Sequence, residues 1–279
     1  MKVGVVGAGT MGRGIAHICA VHGHAVALFD LSPSILAQSL DIISAELAKR
    51  KPDVPSQDIH GILGRISIHT ALAALADAEI IIEAAIEELD AKKQIFRELD
   101  GLTGPDSLLA TNTSSLPVTG IASAVRDPSR VAGLHFFNPP ARMNLVEVIR
   151  GSATSVETIE RLRAFASGIG KTAITVKDTP GFVVNRIARP FYGEALRLLG
   201  EGVAPVEEID RIVRLEGGFR MGPFELIDLI GVDVNLAVTR SMYEQTFGEP
   251  RYRPHIIQQT MATSGLLGRK SGRGFYSYK

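Results

Sequence analysis

Val3-Gly4-Val5-Val6-Gly7-Ala8-Gly9-Thr10-Met11-Gly12-Arg13-Gly14 passes from apolar β-formers straight into a Gly7-x-Gly9-x-x-Gly12 triplet. Eighteen residues beyond Gly12, a second apolar run, Val26-Ala27-Leu28-Phe29, ends in Asp30. A strand, a glycine turn, a helix and a second strand closed by an acid make the pattern that binds a dinucleotide. Each glycine has its own task. Gly7 permits the tight turn, Gly9 offers bare backbone to a pyrophosphate, and Gly12 lets the helix lie close to the strand. The amides that open the helix, around Thr10 and Met11, attract the phosphates. Asp30 accepts hydrogen bonds from ribose hydroxyls and repels a 2′-phosphate. Leu31, Ser32 and Pro33 follow it, so no arginine stands ready to neutralise such a phosphate. The expected cofactor is NAD rather than NADP.

At 279 residues the chain can bury a large core, in two domains. Thirty basic residues balance thirty acidic ones, so no global field recruits nucleic acid or an anionic membrane. No run reaches the length of a membrane-spanning helix. The single cysteine, Cys19, excludes an internal disulfide framework and reads as a small core residue of the first helix. The first strand begins at once, with no signal segment before it, and the expected setting is cytoplasmic.

Strands and helices alternate through the first 150 residues or so, as a parallel sheet requires. Expected strands are Val3–Val6, Ala25–Phe29, Ile66–Ile68, Glu79–Ile82 and Leu108–Thr111. A long helix from Pro33 to about Lys51 and a shorter one before Arg65 form a helical hairpin, an insertion expected to project from the sheet. Val131–Phe137 and Leu145–Ile149, joined by a proline-rich turn, read as an antiparallel pair, followed by a helix over Val156–Ile169 and a strand over Thr172–Val176. Asp178-Thr179-Pro180-Gly181 marks a boundary. Beyond it, Val184, Ile187, Phe191, Ala195 and Leu198 fall on one helical face, and further helices begin near Pro205 and Pro223. The expected fold is α/β: a Rossmann-type doubly wound sheet with a helical-hairpin insertion over residues 1–180, then an all-α domain over 181–279.

His135 lies in the run Gly133-Leu134-His135-Phe136-Phe137, and twelve residues on Glu147 interrupts Leu145-Val146-Glu147-Val148-Ile149. Paired strands would let imidazole and carboxylate meet, fixing the tautomer and raising the basicity of the ring. The other arrangement open to this spacing puts Glu147 in solvent and His135 in the core. No histidine pair has metal-ligand spacing backed by a further ligand, so no metal is expected. Asn112-Thr113-Ser114-Ser115 follows a strand at the edge where open α/β sheets bind ligands. The same hydroxyls suit a helix cap, with Ser115 nearer the cap and Ser114 nearer the cleft. Asn185 sits in the first turn of the helix that opens the second domain.

GAGTMGRGIA, NTSSL, GLHFFNP followed by LVEVI, DTPGFVVNR and the closing GRKSGRGFYSY, in this order, resemble the L-3-hydroxyacyl-CoA dehydrogenase family over nearly the whole chain. That resemblance implies NAD-dependent, reversible oxidation of an L-3-hydroxyacyl-CoA, as in fatty-acid β-oxidation; the helices of the second domain present more apolar surface than one small layer can bury, so the expected assembly is a homodimer. It implies His135 as general base and Glu147 as its orienting partner. Ser114 and Asn185 match substrate-binding positions near the hydroxyl and thioester, and Asn138 another active-site position. Glu87, Lys92 and Lys270 match cofactor contacts, together with Asn112, Ser114 and Asn138; on sequence alone Glu87 and Lys92 pass for solvated charges at a helix start. Lys51 is the best match for a CoA-phosphate contact. The related β-hydroxyacid dehydrogenases carry a lysine four residues before the asparagine; here Gly181 stands there. A non-catalytic, crystallin-like NAD-binding protein would be expected to have lost part of the set Ser114, His135, Glu147 and Asn185, all of which are present. The turn after Asn138 carries Arg142, whose guanidinium suits either solvent or the terminal carboxylate of a dicarboxylic ester such as 3-hydroxyadipyl-CoA. Otherwise the expected substrate is short, such as 3-hydroxybutyryl-CoA.

Overall fold

The computed structural model describes residues 1–49 and 59–278. They form two compact units, Met1–Thr179 and Pro180–Lys279.

The first unit is built on one eight-stranded sheet in the order β3-β2-β1-β4-β5-β6-β7-β8. The strands are β1 (Lys2–Val6), β2 (Ala25–Phe29), β3 (Ile66–His69), β4 (Ile80–Glu83), β5 (Leu108–Thr111), β6 (Val131–Phe136), β7 (Leu145–Arg150) and β8 (Thr172–Lys177). β1 to β6 are mutually parallel, in the 3-2-1-4-5-6 order of a doubly wound dinucleotide fold. β7 turns back antiparallel on β6, and β8 runs parallel to β7. The inner strands are near-continuous apolar runs because helices cover both faces, whereas the edge strands β3 and β8 are partly exposed. α1 (Thr10–Val21), α2 (Pro33–Ala48), α3 (Ile59–Leu63) and α6 (Val156–Gly168) share one core layer, in which Ile15, Leu36, Ile62 and Leu162 are buried. α4 (Leu89–Leu102) and α5 (Val118–Ala122) cover the other, around Phe96, Leu99 and Ile121.

The helical hairpin does not simply project. Leu36, Ile43 and Leu47 of α2 and Ile62 of α3 belong to the main core. α2 ends at Ala48, and Lys51 lies outside the described residues. The start of α5 also departs from expectation. Its first amides, Val118 N and Thr119 N, donate to the Asp178 carboxylate at 3.1 and 2.7 Å, so a cap comes from sixty residues away.

The second unit is helical: α7 (Val184–Gly200), α8 (Val206–Leu215), α9 (Pro223–Ile230), α10 (Val232–Gln245) and α11 (Ile256–Thr263). Tyr192, Leu196, Ile209, Phe224 and Ile227 form its core. The buried face of α7 overlaps only in part with the one the apolar period picks out: Ala195 is buried and Phe191 and Leu198 pack on the core, but Ile187 is 70% exposed, while Arg189, Tyr192 and Leu196 are buried. Long amphipathic side chains bury their stems, which a count of apolar residues misses. The closing segment is tied down by Asp228, whose carboxylate accepts from Phe275 N, Tyr276 N and the Tyr278 hydroxyl.

Candidate active site

The carboxyl edge of the parallel sheet in the first unit gathers most of the candidate residues. The glycine turn leaves β1 there. Gly7 has φ +96°, and a Cβ on it would stand 2.7 Å from the Ala84 carbonyl oxygen. A Cβ on Gly12 would lie 1.7 Å from the Gly7 oxygen, so helix and turn touch backbone to backbone. Around Gly9 a Cβ would meet nothing within 4 Å: the bare side faces open space. No side chain caps α1 and no acid lies in its first turn, which leaves the amides of Thr10, Met11 and Gly12 for a phosphate. Asp30, at the end of β2, accepts from Ala8 N at 2.8 Å and Ser32 N at 2.9 Å. These bonds hold the carboxylate beside the turn and leave lone pairs on both oxygens for ribose hydroxyls. A cradle of this shape fits NAD.

β4 ends next to β1, at the point where the strand order reverses, and its last residue, Glu83, carries a network that sequence reasoning missed. Lys92 on α4 is 1% exposed and Glu83 is fully buried. Lys92 Nζ donates to Glu83 Oε1 at 2.6 Å and lies 3.3 Å from Glu87 Oε2. Glu83 also accepts from Ala85 N and from the Thr111 hydroxyl, each at 2.7 Å. Glu87 gathers the next loop: its Oε1 accepts from the Thr113 hydroxyl at 2.6 Å, Ser114 N at 2.8 Å and the Ser114 hydroxyl at 3.3 Å. Burial would raise the Glu87 pKa, but Lys92 and these donors outweigh it and hold the carboxyl below its usual range. Lys92 is therefore not a solvated charge, and Glu87, although exposed, is engaged by Lys92 and the Ser114 loop. The signal in the sequence was the acid at the end of an otherwise apolar strand, nine residues before a lysine.

Asn112, just past β5, accepts from Phe136 N at 2.8 Å through Oδ1 and so fastens the Ser114 loop to β6. On β6, His135 stands directly opposite Glu147 of β7. Nδ1 of His135 and Oε2 of Glu147 are 2.8 Å apart, and both residues are buried. Of the two arrangements open to the sequence, the paired one is present. Phe137 lies over the imidazole with ring centroids 4.5 Å apart. The turn that follows carries Asn138 and Arg142, both exposed. Buried Lys171 pins this turn, donating from Nζ to Pro140 O at 2.6 Å and Met143 O at 2.8 Å. From the other side α1 touches it: a Cβ on Gly14 would be 2.8 Å from the Pro140 ring.

In the second unit, Asn185 lies in the first turn of α7. Lys270 Nζ is 2.6 Å from Asp233 Oδ2.

Fold and site together define an α/β nucleotide-binding domain with a buried histidine–carboxylate pair, followed by a helical domain. The chain belongs to the 3-hydroxyacyl-CoA dehydrogenase family: residues 2–179 match its NAD-binding domain and residues 181–278 its C-terminal domain. It is 46% identical over 279 residues to the 3-hydroxyadipyl-CoA dehydrogenase of Escherichia coli, covering 99% of this chain and 59% of that protein's length. A probable 3-hydroxybutyryl-CoA dehydrogenase of Bacillus subtilis is 41% identical, with 100% and 97% covered. The crystal structure of (S)-3-hydroxybutyryl-CoA dehydrogenase from Ralstonia eutropha superposes with TM-score 0.94 at 42% identity, covering 100% of this chain and 99% of that one.

Proposed function

We propose that the protein oxidises L-3-hydroxyacyl-CoA reversibly to 3-oxoacyl-CoA with NAD, acting on a short acyl chain such as 3-hydroxybutyryl. The observation that carries this reading is the buried 2.8 Å bond between His135 and Glu147. Glu147 accepts the Nδ1 proton, which leaves Nε2 as the basic nitrogen. Nε2 takes the proton of the 3-hydroxyl, and the buried carboxylate stabilises the imidazolium that results. Bound NAD supplies the acceptor for the hydride that leaves C3. The glycine turn and the start of α1 hold the pyrophosphate, and Asp30 the adenosine ribose. Glu87, Lys92 and Asn112 keep the Ser114 loop in place, and Ser114, Asn138 and Asn185 orient the ester. Lys270 is a further cofactor contact in this reading.

Replacing His135 by alanine should lower kcat by roughly 10²–10⁴-fold with NAD affinity little changed. Glu147→Gln should slow turnover too, since a neutral amide no longer stabilises the imidazolium. Absorbance of NADH with 3-hydroxybutyryl-CoA as substrate measures both; an unaltered kcat in His135→Ala removes His135 from the reaction.

A second reading has its own support. The Escherichia coli relative at 46% identity is named for 3-hydroxyadipyl-CoA, a dicarboxylic ester. A homodimer formed through the helical unit is part of the proposal, because Ile187, Ile212, Leu215, Phe219 and Ile256 expose apolar surface there. A cytoplasmic setting agrees with the single, buried cysteine.

A further inference from the structure

Lys171 stands between α6 and β8, and the way the helix ends puts it there. Gly170, at φ +71°, takes the left-handed conformation that closes a helix. Gly170 N donates to Ser167 O and Lys171 N to Ala166 O, the paired bonds of such an ending. The lysine side chain is 6% exposed. Its Nζ meets two carbonyls of the turn between β6 and β7, Pro140 O at 2.6 Å and Met143 O at 2.8 Å. Burial draws its pKa below the usual lysine range, with no carboxylate beside it among the described residues to oppose the shift. A buried ammonium without a counter-charge is costly, and a methionine would fill the same volume at less cost. Packing therefore does not account for a lysine here. Its donors do.

The turn that it holds joins the two strands of the histidine–carboxylate pair. His135 and Glu147 are fixed by the β6–β7 ladder itself, whose last pair is Phe136 and Val146. Asn138 and Pro140 lie beyond that pair, outside the ladder. Within the turn, Pro139 O accepts from Arg142 N at 2.9 Å and Met143 N at 3.1 Å, which shapes it without saying where it sits. Its place is set from outside. Lys171 grips two carbonyls, Thr172 N donates to Asn144 O at 2.7 Å, and the Pro140 ring rests against α1 at Gly14. Lys171 thus locates the turn relative to the imidazole on one side and to the helix of the dinucleotide cradle on the other.

We propose that Lys171 is a positioning residue for the dehydrogenase reaction: through Pro140 O and Met143 O it fixes Asn138, and so aligns the ester between His135 and the bound NAD. The part in the reaction rests on the dehydrogenase reading; the hold on the turn does not. A misplacement of about 1 Å costs on the order of 10²-fold in rate, so the effect belongs in kcat.

Lys171→Met removes the donors and keeps the stem, and Lys171→Arg puts donors back. With 3-hydroxybutyryl-CoA, kcat of Lys171→Met should fall about 10–100-fold while KM for NAD stays within about twofold. NAD is spared because Asp30 and the glycine turn are held without the lysine. Lys171→Arg should turn over at least about threefold faster than Lys171→Met. By hydrogen exchange, the amides of Arg142 and Met143 should open at least about tenfold faster in Lys171→Met, and those of β6 and β7 at wild-type rates. A kcat within about twofold of wild type in Lys171→Met overturns the proposal, as does a kcat loss matched by an equal rise in KM for NAD. Equal losses in both variants, with Arg142 and Met143 exchanging as in wild type, overturn it too, because packing is then the lysine's whole part. If Lys171→Met does not fold, Lys171→Gln, with a shorter and uncharged donor, takes its place under the same criteria. If the wild type oxidises no 3-hydroxyacyl-CoA, the dehydrogenase reading and the part in the reaction fail together, and exchange at Arg142 and Met143 decides the hold on the turn alone.

Discussion

Glu83 and Lys92 face each other where water does not reach, and each is the other's main counter-charge. Removing Glu83 leaves buried Lys92 with only the longer contact to the more exposed Glu87, so Glu83→Ala should destabilise the fold by up to about 3–5 kcal/mol. Urea denaturation measures this; a loss below about 1 kcal/mol would mean that Lys92 finds solvent in the variant. Asp30 is held by two backbone amides before any ribose arrives, so its charge is in place to discriminate. Asp30→Ser combined with Leu31→Arg should raise kcat/KM with NADP relative to NAD, and an unmoved ratio would place the selection elsewhere. At this scale the sequence singled out His135 and Glu147 on two adjacent apolar runs but left their pairing open, and the register of β6 on β7 brings them together. The sequence did not disclose Glu83. An acid closing a strand reads as a solvated end until Thr111, its neighbour in register on β5, and Lys92 on α4 are seen to cover it. Arg189 was equally hidden, since an arginine on a helix is ordinarily taken for surface.

Elements are joined here by carboxylates that each hold several donors. Asp100 at the end of α4 accepts from Arg126 Nε and from Arg130, both at 2.7 Å, and so ties α4 to the stretch that leads into β6. Burial acts to raise the Asp100 pKa, but the two guanidinium bonds outweigh it and the value is lowered from 3.8. A depressed folded-state pKa means that the stabilisation is complete above the unfolded value and is lost as pH falls through the folded one. Asp100→Asn should therefore lower stability at neutral pH and flatten its decline below pH 3.8, a difference that melts across pH 2–7 would display. An acid limb identical to wild type would deny Asp100 this part. Strand positions were legible to within a residue or so, since runs buried on both faces are uniformly apolar. The buried face of α7 was legible only in part, because Arg189 is charged yet buries its stem. The cap of α5 was not, since its acceptor, Asp178, is remote in sequence and near only once β8 joins the sheet.

At the scale of the whole molecule, the balanced charge leaves apolar surface as the main force for association. Light scattering at micromolar concentration should give twice the 29.9 kDa chain mass, and a monomer there would exclude pairing through the helical unit. The two-unit plan was readable from the turn cluster at Asp178–Gly181, but which faces of the second unit stay exposed was not, since the period identifies apolar residues without saying what covers them. One contact reaches across the first unit's chain: Gly14 in the nucleotide-binding helix against Pro140 in the turn behind the histidine, with no space for a methyl group between them. The dinucleotide cradle and the room that holds the imidazole thus share a party wall one glycine thick. Neither room can be refurbished alone. A helix transplanted from another nucleotide-binding protein with alanine at that point would arrive with a dent already pressed into the histidine's side.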